Sequence, residues 1–189
     1  MLKNESIFAY VAKITLTLLL IAALVAAALA LVNQITEPII DQVNAEKTQQ
    51  AIQIVLPGGY EEVITDYADE TGLVTKVYKG TKGYALEVTP AGFDNTITMM
   101  VGIDFEGTVL GISIISHTES AGLGAVAAAD NAAGNAFREQ FIGQSGSVSV
   151  SKDGGSIDAI TNATITSRAI CDGVNAALAC VRTLEGGAA

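Results

Sequence analysis

The run from Ile14 to Val32 constrains this chain more than any other feature. It holds no charged residue, and its polar side chains are Thr15 and Thr17. A helix that crosses a bilayer needs about 20 apolar residues, with a range of roughly 17–25, so this run is long enough to span. Lys3 and Lys13 precede it, whereas Glu37 and Asp41 follow. That asymmetry places the N-terminus in the cytoplasm and the bulk of the chain beyond the membrane. A cleaved leader competes with this reading, because Ala26-Ala27-Ala28 and Ala28-Leu29-Ala30 have cleavage-like spacing. The apolar run continues past those sites and favours a retained anchor. The organisation expected is therefore residues 1–13 cytoplasmic, 14–32 transmembrane, 33–59 a juxtamembrane helix, and 60–189 an extracytoplasmic domain.

Charge narrows the partners. Lys and Arg number 10 against 20 Asp and Glu, a formal net charge of -10. Nucleic-acid binding requires basic side chains against phosphate, so it is not expected. The two cysteines, Cys171 and Cys180, fall in one predicted helix. Nine residues separate them by about 13.5 Å along the axis, too far for a disulfide, which needs Cα atoms within about 7 Å. They read as small buried apolar residues.

Past Asn33, a Gln-, Glu- and Ala-rich stretch with apolar residues at Ala45, Ala51, Ile52 and Val55 reads as a helix stopped by Pro57-Gly58-Gly59. Residues 60–72 are acidic and lack calcium-loop spacing, so they read as solvated turns. Leu73–Lys79, Tyr84–Thr89, Ile97–Phe105 and Val109–Ile115 read as strands of an antiparallel sheet with one protected face. The apolar content of 109–115 suggests a central strand. Asp130–Phe141 is a helix candidate with Ala133, Ala136, Phe137 and Phe141 on one face; Val148 and Val150 suggest a short strand. A final helix over Ile165–Thr183 carries the stripe Ile170, Val174, Ala177, Leu178 and Val181, and Gly186-Gly187 ends it. The fold class is α+β.

Two segments carry candidate chemistry. Strand 109–115 runs into Ser116-His117-Thr118-Glu119-Ser120-Ala121-Gly122-Leu123-Gly124, a polar loop whose glycines permit close approach to a flat ligand. His117 is the sole histidine and no Cys neighbours it, so no metal site is expected. The second segment is Asp158-Ala159-Ile160-Thr161-Asn162-Ala163-Thr164-Ile165-Thr166-Ser167, with four hydroxyl residues in seven positions at the entrance of the last helix. One hydroxyl suffices to cap a helix. The plain reading is such a cap; the sharper one is an anionic group held at the helix N-terminus. The two segments are expected to wall one pocket.

Thr161-Asn162-Ala163-Thr164-Ile165-Thr166-Ser167 resembles the flavinylation motif of FMN-binding domains, commonly [Ser/Thr]-Gly-Ala-Thr-x-[Thr/Ser]. With the N-terminal span, His117-x-Glu119-x-x-Gly122-Leu123-Gly124 and Phe137-x-x-Gln140-Phe141-x-Gly143, the chain is similar to the G subunit of Rnf-type electron transport complexes. A related family is the C subunit of the sodium-pumping NADH:quinone reductase. The resemblance implies FMN joined by a phosphoester to Thr164 and installed on the extracytoplasmic side by a transferase that uses FAD. It implies Thr161, Ala163, Ile165, Thr166, Ser167, Asp158, His117, Glu119, Gly122, Leu123 and Gly124 as the remaining cofactor-binding set, with Thr161, Thr166 and Ser167 donating to phosphate. It further implies that Asp158 orients the segment or is read by the transferase. The implied role is a covalent-FMN electron carrier between ferredoxin and NAD, coupled to Na⁺ or H⁺ movement, with the other members of the complex and the lipid bilayer as partners. Asn162 stands where the family has glycine, and Ser120-Ala121 where it has Thr-Pro. Asn tolerates left-handed backbone angles, so the acceptor remains usable. Competing readings are the quinone-reductase component, a flavin-free anchored scaffold or sensor, and a secreted binding protein.

Overall fold

The computed structural model describes residues 7–186. Lys3 and Gly187, used above for topology and for the end of the last helix, lie outside the described residues. Contacts divide the chain into two units, Met1–Ala45 and Glu46–Ala189.

The first unit is helical. α1 runs over Ile7–Val55 without a break, with Pro38 inside it, where two separate helices were expected. Proline removes one backbone donor, but the helix continues through it. Thr17, in the apolar run, is bonded locally: its hydroxyl donates to the Lys13 carbonyl at 2.8 Å. The helix is long and apolar enough to cross a membrane.

The second unit begins with the last turns of α1. Five strands follow as an antiparallel meander in the order β1-β2-β3-β4-β5: β1 (Glu62–Ile64), β2 (Val74–Lys79), β3 (Gly83–Val88), β4 (Thr98–Asp104) and β5 (Val109–Ser116). Side chains alternate across a strand, so β4 sends Met99, Val101 and Ile103 into one core and Met100 into another. The larger core lies under α3 (Thr164–Leu184) and includes Ile170, Val174, Ala177, Leu178 and Val181, the stripe expected from sequence. The smaller one joins Ala51, Ile52, Val55 and Leu56 to Tyr78, Ala85, Met100 and Ile115. Gly102 allows this approach, because a Cβ there would collide with the Val55 carbonyl oxygen.

Several elements depart from the sequence reading. The sheet is covered on both faces, since the end of the segment read as a juxtamembrane helix supplies the second layer. β5 is an edge strand, not a central one. Its apolar character reflects cover from both faces. Part of its free edge is also paired, because Gly143 N–H donates to Val109 O and Val109 N–H to Gln144 O. Glu62–Ile64, within the acidic stretch, forms the short β1 against β2. Val148 and Val150 make no strand. The Asn175 amide on α3 occupies both backbone groups of Val148, at 2.7 and 2.8 Å, in place of a ladder. α2 covers Ala132–Glu139, begun by an Asn131 cap whose side chain accepts from Gly134 N–H. Its inward face is Gly134, Phe137 and, just beyond, Phe141; Ala133 and Ala136 are exposed. Close packing at Gly134 fixes that rotation, as a Cβ there would run into Ala129 O. Both cysteines are free and buried. Burial pushes the thiol of Cys171 up to about 12 and that of Cys180 up to about 11.

Candidate functional site

The head of α3 is built by a loop that only a narrow set of residues can follow. Asn162 has φ 61°, the one positive value at a non-glycine position among the described residues. This is the left-handed region, where asparagine is among the most tolerated side chains, and it accounts for Asn162 at the motif glycine. Ala163 then enters the helix, and no side chain caps it. The capping reading of the hydroxyl cluster is therefore not what the chain does. The first-turn amides have no carbonyl partner within the helix.

Two hydroxyls expected to face a phosphate are committed elsewhere. Ser167 is fully buried. Its Oγ donates to Ala163 O at 3.0 Å and accepts from Ile160 N–H at 3.0 Å, closing the 160–163 loop on the helix. Thr166 is buried and donates to Glu119 Oε2 at 2.5 Å. Neither is placed to donate to a phosphate while these bonds stand, which corrects that part of the reading. Glu119, 7% exposed, also accepts from Phe93 N–H at 2.8 Å and Asp94 N–H at 3.3 Å through Oε1. One carboxylate thus joins the 92–94 turn, the loop after β5 and the first turn of α3. Gly92 and Gly124 make room for it, since a Cβ at either would collide with a carboxylate oxygen.

Around this junction lies a cavity of about 330 Å³. The two expected walls do meet there: Glu119, Ser120, Leu123 and Gly124 on one side, Asn162 to Thr166 on the other. Phe93 and Lys152 complete the lining, and sequence reading singled out neither. Thr164 is half-buried and its Oγ1 accepts a hydrogen bond from Lys152 Nζ at 3.2 Å. Next to Lys152, Asp153 takes a two-pronged ion pair from Arg168 of α3 at 2.6 and 2.7 Å. Hydrogen bonding from Arg168 holds the Asp153 carboxyl below its usual range, and the same pair raises the guanidinium.

The remaining candidates sit apart from that cavity. His117 borders a different one, of about 460 Å³, with Ser113, Ser116, Asp130 and Arg138, and its Nδ1 is buried without a hydrogen-bond partner among the described residues. Gly122, Asp158 and Thr161 border a third, of about 380 Å³, beside α2. There Gln140 grips the backbone of Asp158: its Oε1 accepts from Asp158 N–H at 2.7 Å, and its Nε2 donates to Asp158 O at 3.3 Å. The glutamine of the Phe137-x-x-Gln140-Phe141 pattern thus orients the loop from behind. No cluster of three or more metal-ligating side chains occurs among the described residues.

The cavity suits a ligand with an anionic end and a flat apolar body. It offers an accessible hydroxyl, a cation bonded to that hydroxyl and uncapped amides at one end. Phe93, Leu123 and Ile165 are exposed apolar side chains along its rim.

A family model described as an FMN-binding domain matches residues 92–179, from the turn that binds Glu119 into α3. The G subunit of the ion-translocating oxidoreductase complex of Methanosarcina acetivorans is 31% identical over 187 residues, covering 93% of this chain and 97% of that relative. The G subunit of the Na⁺-translocating ferredoxin:NAD⁺ oxidoreductase complex of Acetobacterium woodii is 33% identical, covering 92% of each. The proton-translocating counterpart of Clostridium ljungdahlii is 32% identical, covering 97% and 96%. Similarity of this extent, together with a site built where the FMN-binding model matches, shows that the chain belongs to the G-subunit family of ion-translocating Rnf oxidoreductase complexes.

Proposed function

We propose that this chain is the covalent-FMN electron carrier of a membrane-bound Rnf-type ferredoxin:NAD oxidoreductase, with the flavin phosphate esterified to Thr164. The observation that carries this reading is the placement of the Thr164 hydroxyl, half-buried at the uncapped head of α3 and inside the cavity walled by the 119–124 and 162–166 segments. Attachment forms a bond between Thr164 Oγ and the FMN phosphorus of FAD as the pyrophosphate bond to AMP breaks. The hydroxyl proton is released and no electrons change hands. FMN, when bound, supplies redox chemistry through its isoalloxazine ring.

The chain's own residues hold and orient. First-turn amides of α3 would hold the phosphate end, since the helix dipole favours an anion there. Phe93, Leu123 and Ile165 would give the ring apolar contacts, and Glu119 locks the three cavity segments together. Asp158, exposed and with its backbone held by Gln140, is presented to a transferase. α1 anchors the chain, with residues 14–32 in the bilayer, residues 60–189 outside, and the N-terminus in the cytoplasm, as Lys3 and Lys13 argue. The last turns of α1 belong with the extracytoplasmic domain, because they form one of its cores. Ion coupling to Na⁺ or H⁺ belongs to the whole complex.

The test is Thr164→Ala in the assembled complex. Ferredoxin-driven NAD⁺ reduction by membranes is lost while the chain remains inserted. Unchanged turnover would refute the carrier role and favour a flavin-free scaffold.

A further inference from the structure

Of the residues that line the Thr164 cavity, Lys152 alone carries a positive charge, in a chain whose formal net charge is -10. It stands on the short 3₁₀ turn Ser151–Asp153, twelve residues before the acceptor. That turn is held from several directions. Ser151 N–H donates to Ile157 O at 2.7 Å and Asp153 N–H to Val150 O at 2.8 Å. Val150 is fully buried. Gly155 closes the turn where a Cβ would collide with Ser149 O. Arg168, one helical turn beyond Thr164, grips Asp153 through both carboxylate oxygens. The turn and the head of α3 are thereby fixed to each other, with the Lys152 ammonium on the acceptor oxygen.

We propose that Lys152 is the phosphate-binding residue of the flavinylation site, and that the Asp153–Arg168 pair positions it. This inference rests on the attachment of FMN to Thr164. An ammonium has three donors and no acceptor, so Lys152 cannot take the Thr164 proton. Its contribution is electrostatic. It meets the pyrophosphate that approaches Thr164, and afterwards it neutralises the single negative charge of the phosphodiester. A lysine acts here as a point charge on a flexible stem, which suits a site that must accommodate the phosphate before and after transfer.

The test uses the full chain in detergent with FAD and an FMN transferase verified on a control acceptor. The fraction modified is followed over time by intact mass. Lys152→Gln slows loading about tenfold, the scale of one charge-assisted hydrogen bond, whereas Lys152→Arg stays within about threefold of wild type. Arg168→Met gives an intermediate rate. Added salt slows wild type more than Lys152→Gln. In loaded samples the ³¹P resonance of the phosphodiester moves on Lys152→Gln and returns toward wild type in Lys152→Arg, which a merely structural role would not produce. Equal loading rates and equal ³¹P shifts in wild type and Lys152→Gln would overturn the assignment while leaving attachment intact. Lys152→Arg as slow as Lys152→Gln would also overturn it. An unmodified wild type would instead overturn attachment at Thr164, and this inference with it.

Discussion

Removing the Thr166 hydroxyl tests how the cavity is held. Thr166→Val keeps the side-chain shape and deletes the 2.5 Å bond to Glu119 Oε2. Both residues are buried, at 2% and 7% exposure, so water cannot replace the lost donor. A hydrogen bond to a buried charged group contributes about 1.5–3 kcal/mol. Taking about 2 kcal/mol, and an unfolding entropy of about 0.3 kcal/mol/K for a domain of this size, Tm falls by about 7 °C. Glu119→Gln costs less, under about 1 kcal/mol, because its amide oxygen can still accept from Phe93 and Asp94 while its NH₂ donates to Thr166. The two changes are coupled: Thr166→Val costs less in the Glu119→Gln background than in wild type. The assay is thermal unfolding of the full chain in detergent, followed by near-ultraviolet circular dichroism. A Thr166→Val Tm within about 1 °C of wild type, or strict additivity in the double mutant, would refute the idea that one carboxylate joins the three segments.

Asn162→Val forces a β-branched side chain into the left-handed region and destabilises by at least about 1–2 kcal/mol, whereas Asn162→Gly changes stability by less than about 1 kcal/mol; paired urea melts distinguish them. Cys171 and Cys180, with thiols raised by burial, resist iodoacetamide at pH 8 in the folded chain and react once urea unfolds it, read by mass. Their contribution to stability is fully present below the ordinary thiol pKa and declines as pH rises through the folded values of about 11 and 12. The Asp153–Arg168 pair behaves oppositely. The folded Asp153 pKa is depressed, so its contribution is present above the ordinary carboxyl value and is lost as pH falls through the lowered one. The Tm difference between wild type and Asp153→Asn therefore disappears in acid.

Much of the architecture could be read from pattern. The stripe of α3 carries the helical repeat that one buried face imposes, four of the strands stand out as short apolar runs between turns, and the 14–32 run is marked by its uniformly apolar composition. The pocket was legible because two unusual loops flank apolar elements, and Asn162 at the motif glycine pointed to its backbone angle. What escaped has common physical causes. Lys152 is an ordinary surface lysine in sequence, and only the folded 151–155 turn, tied to α3 by the Asp153–Arg168 pair, brings it to Thr164. Phe93 sits in a turn without a pattern. Thr166 and Ser167 are chemically suited to phosphate, yet burial commits them to Glu119 and the 160–163 loop. His117 belongs to the same sequence pattern as Glu119, but the chain turns after β5 and the two residues border different cavities. The role of α1's last turns was hidden because a helix that packs against a sheet and a solvated stalk share a similar composition.

The most direct test of the central claim is the intact mass of the chain produced with its FMN transferase, beside Thr164→Ala. Phosphoester attachment at Thr164 predicts that wild type gains the mass of FMN less one water, that the gain maps to the peptide containing Thr164, and that Thr164→Ala lacks it. A wild type without the added mass, made alongside a control acceptor that is modified, would contradict it. So would a Thr164→Ala chain that still carries the flavin.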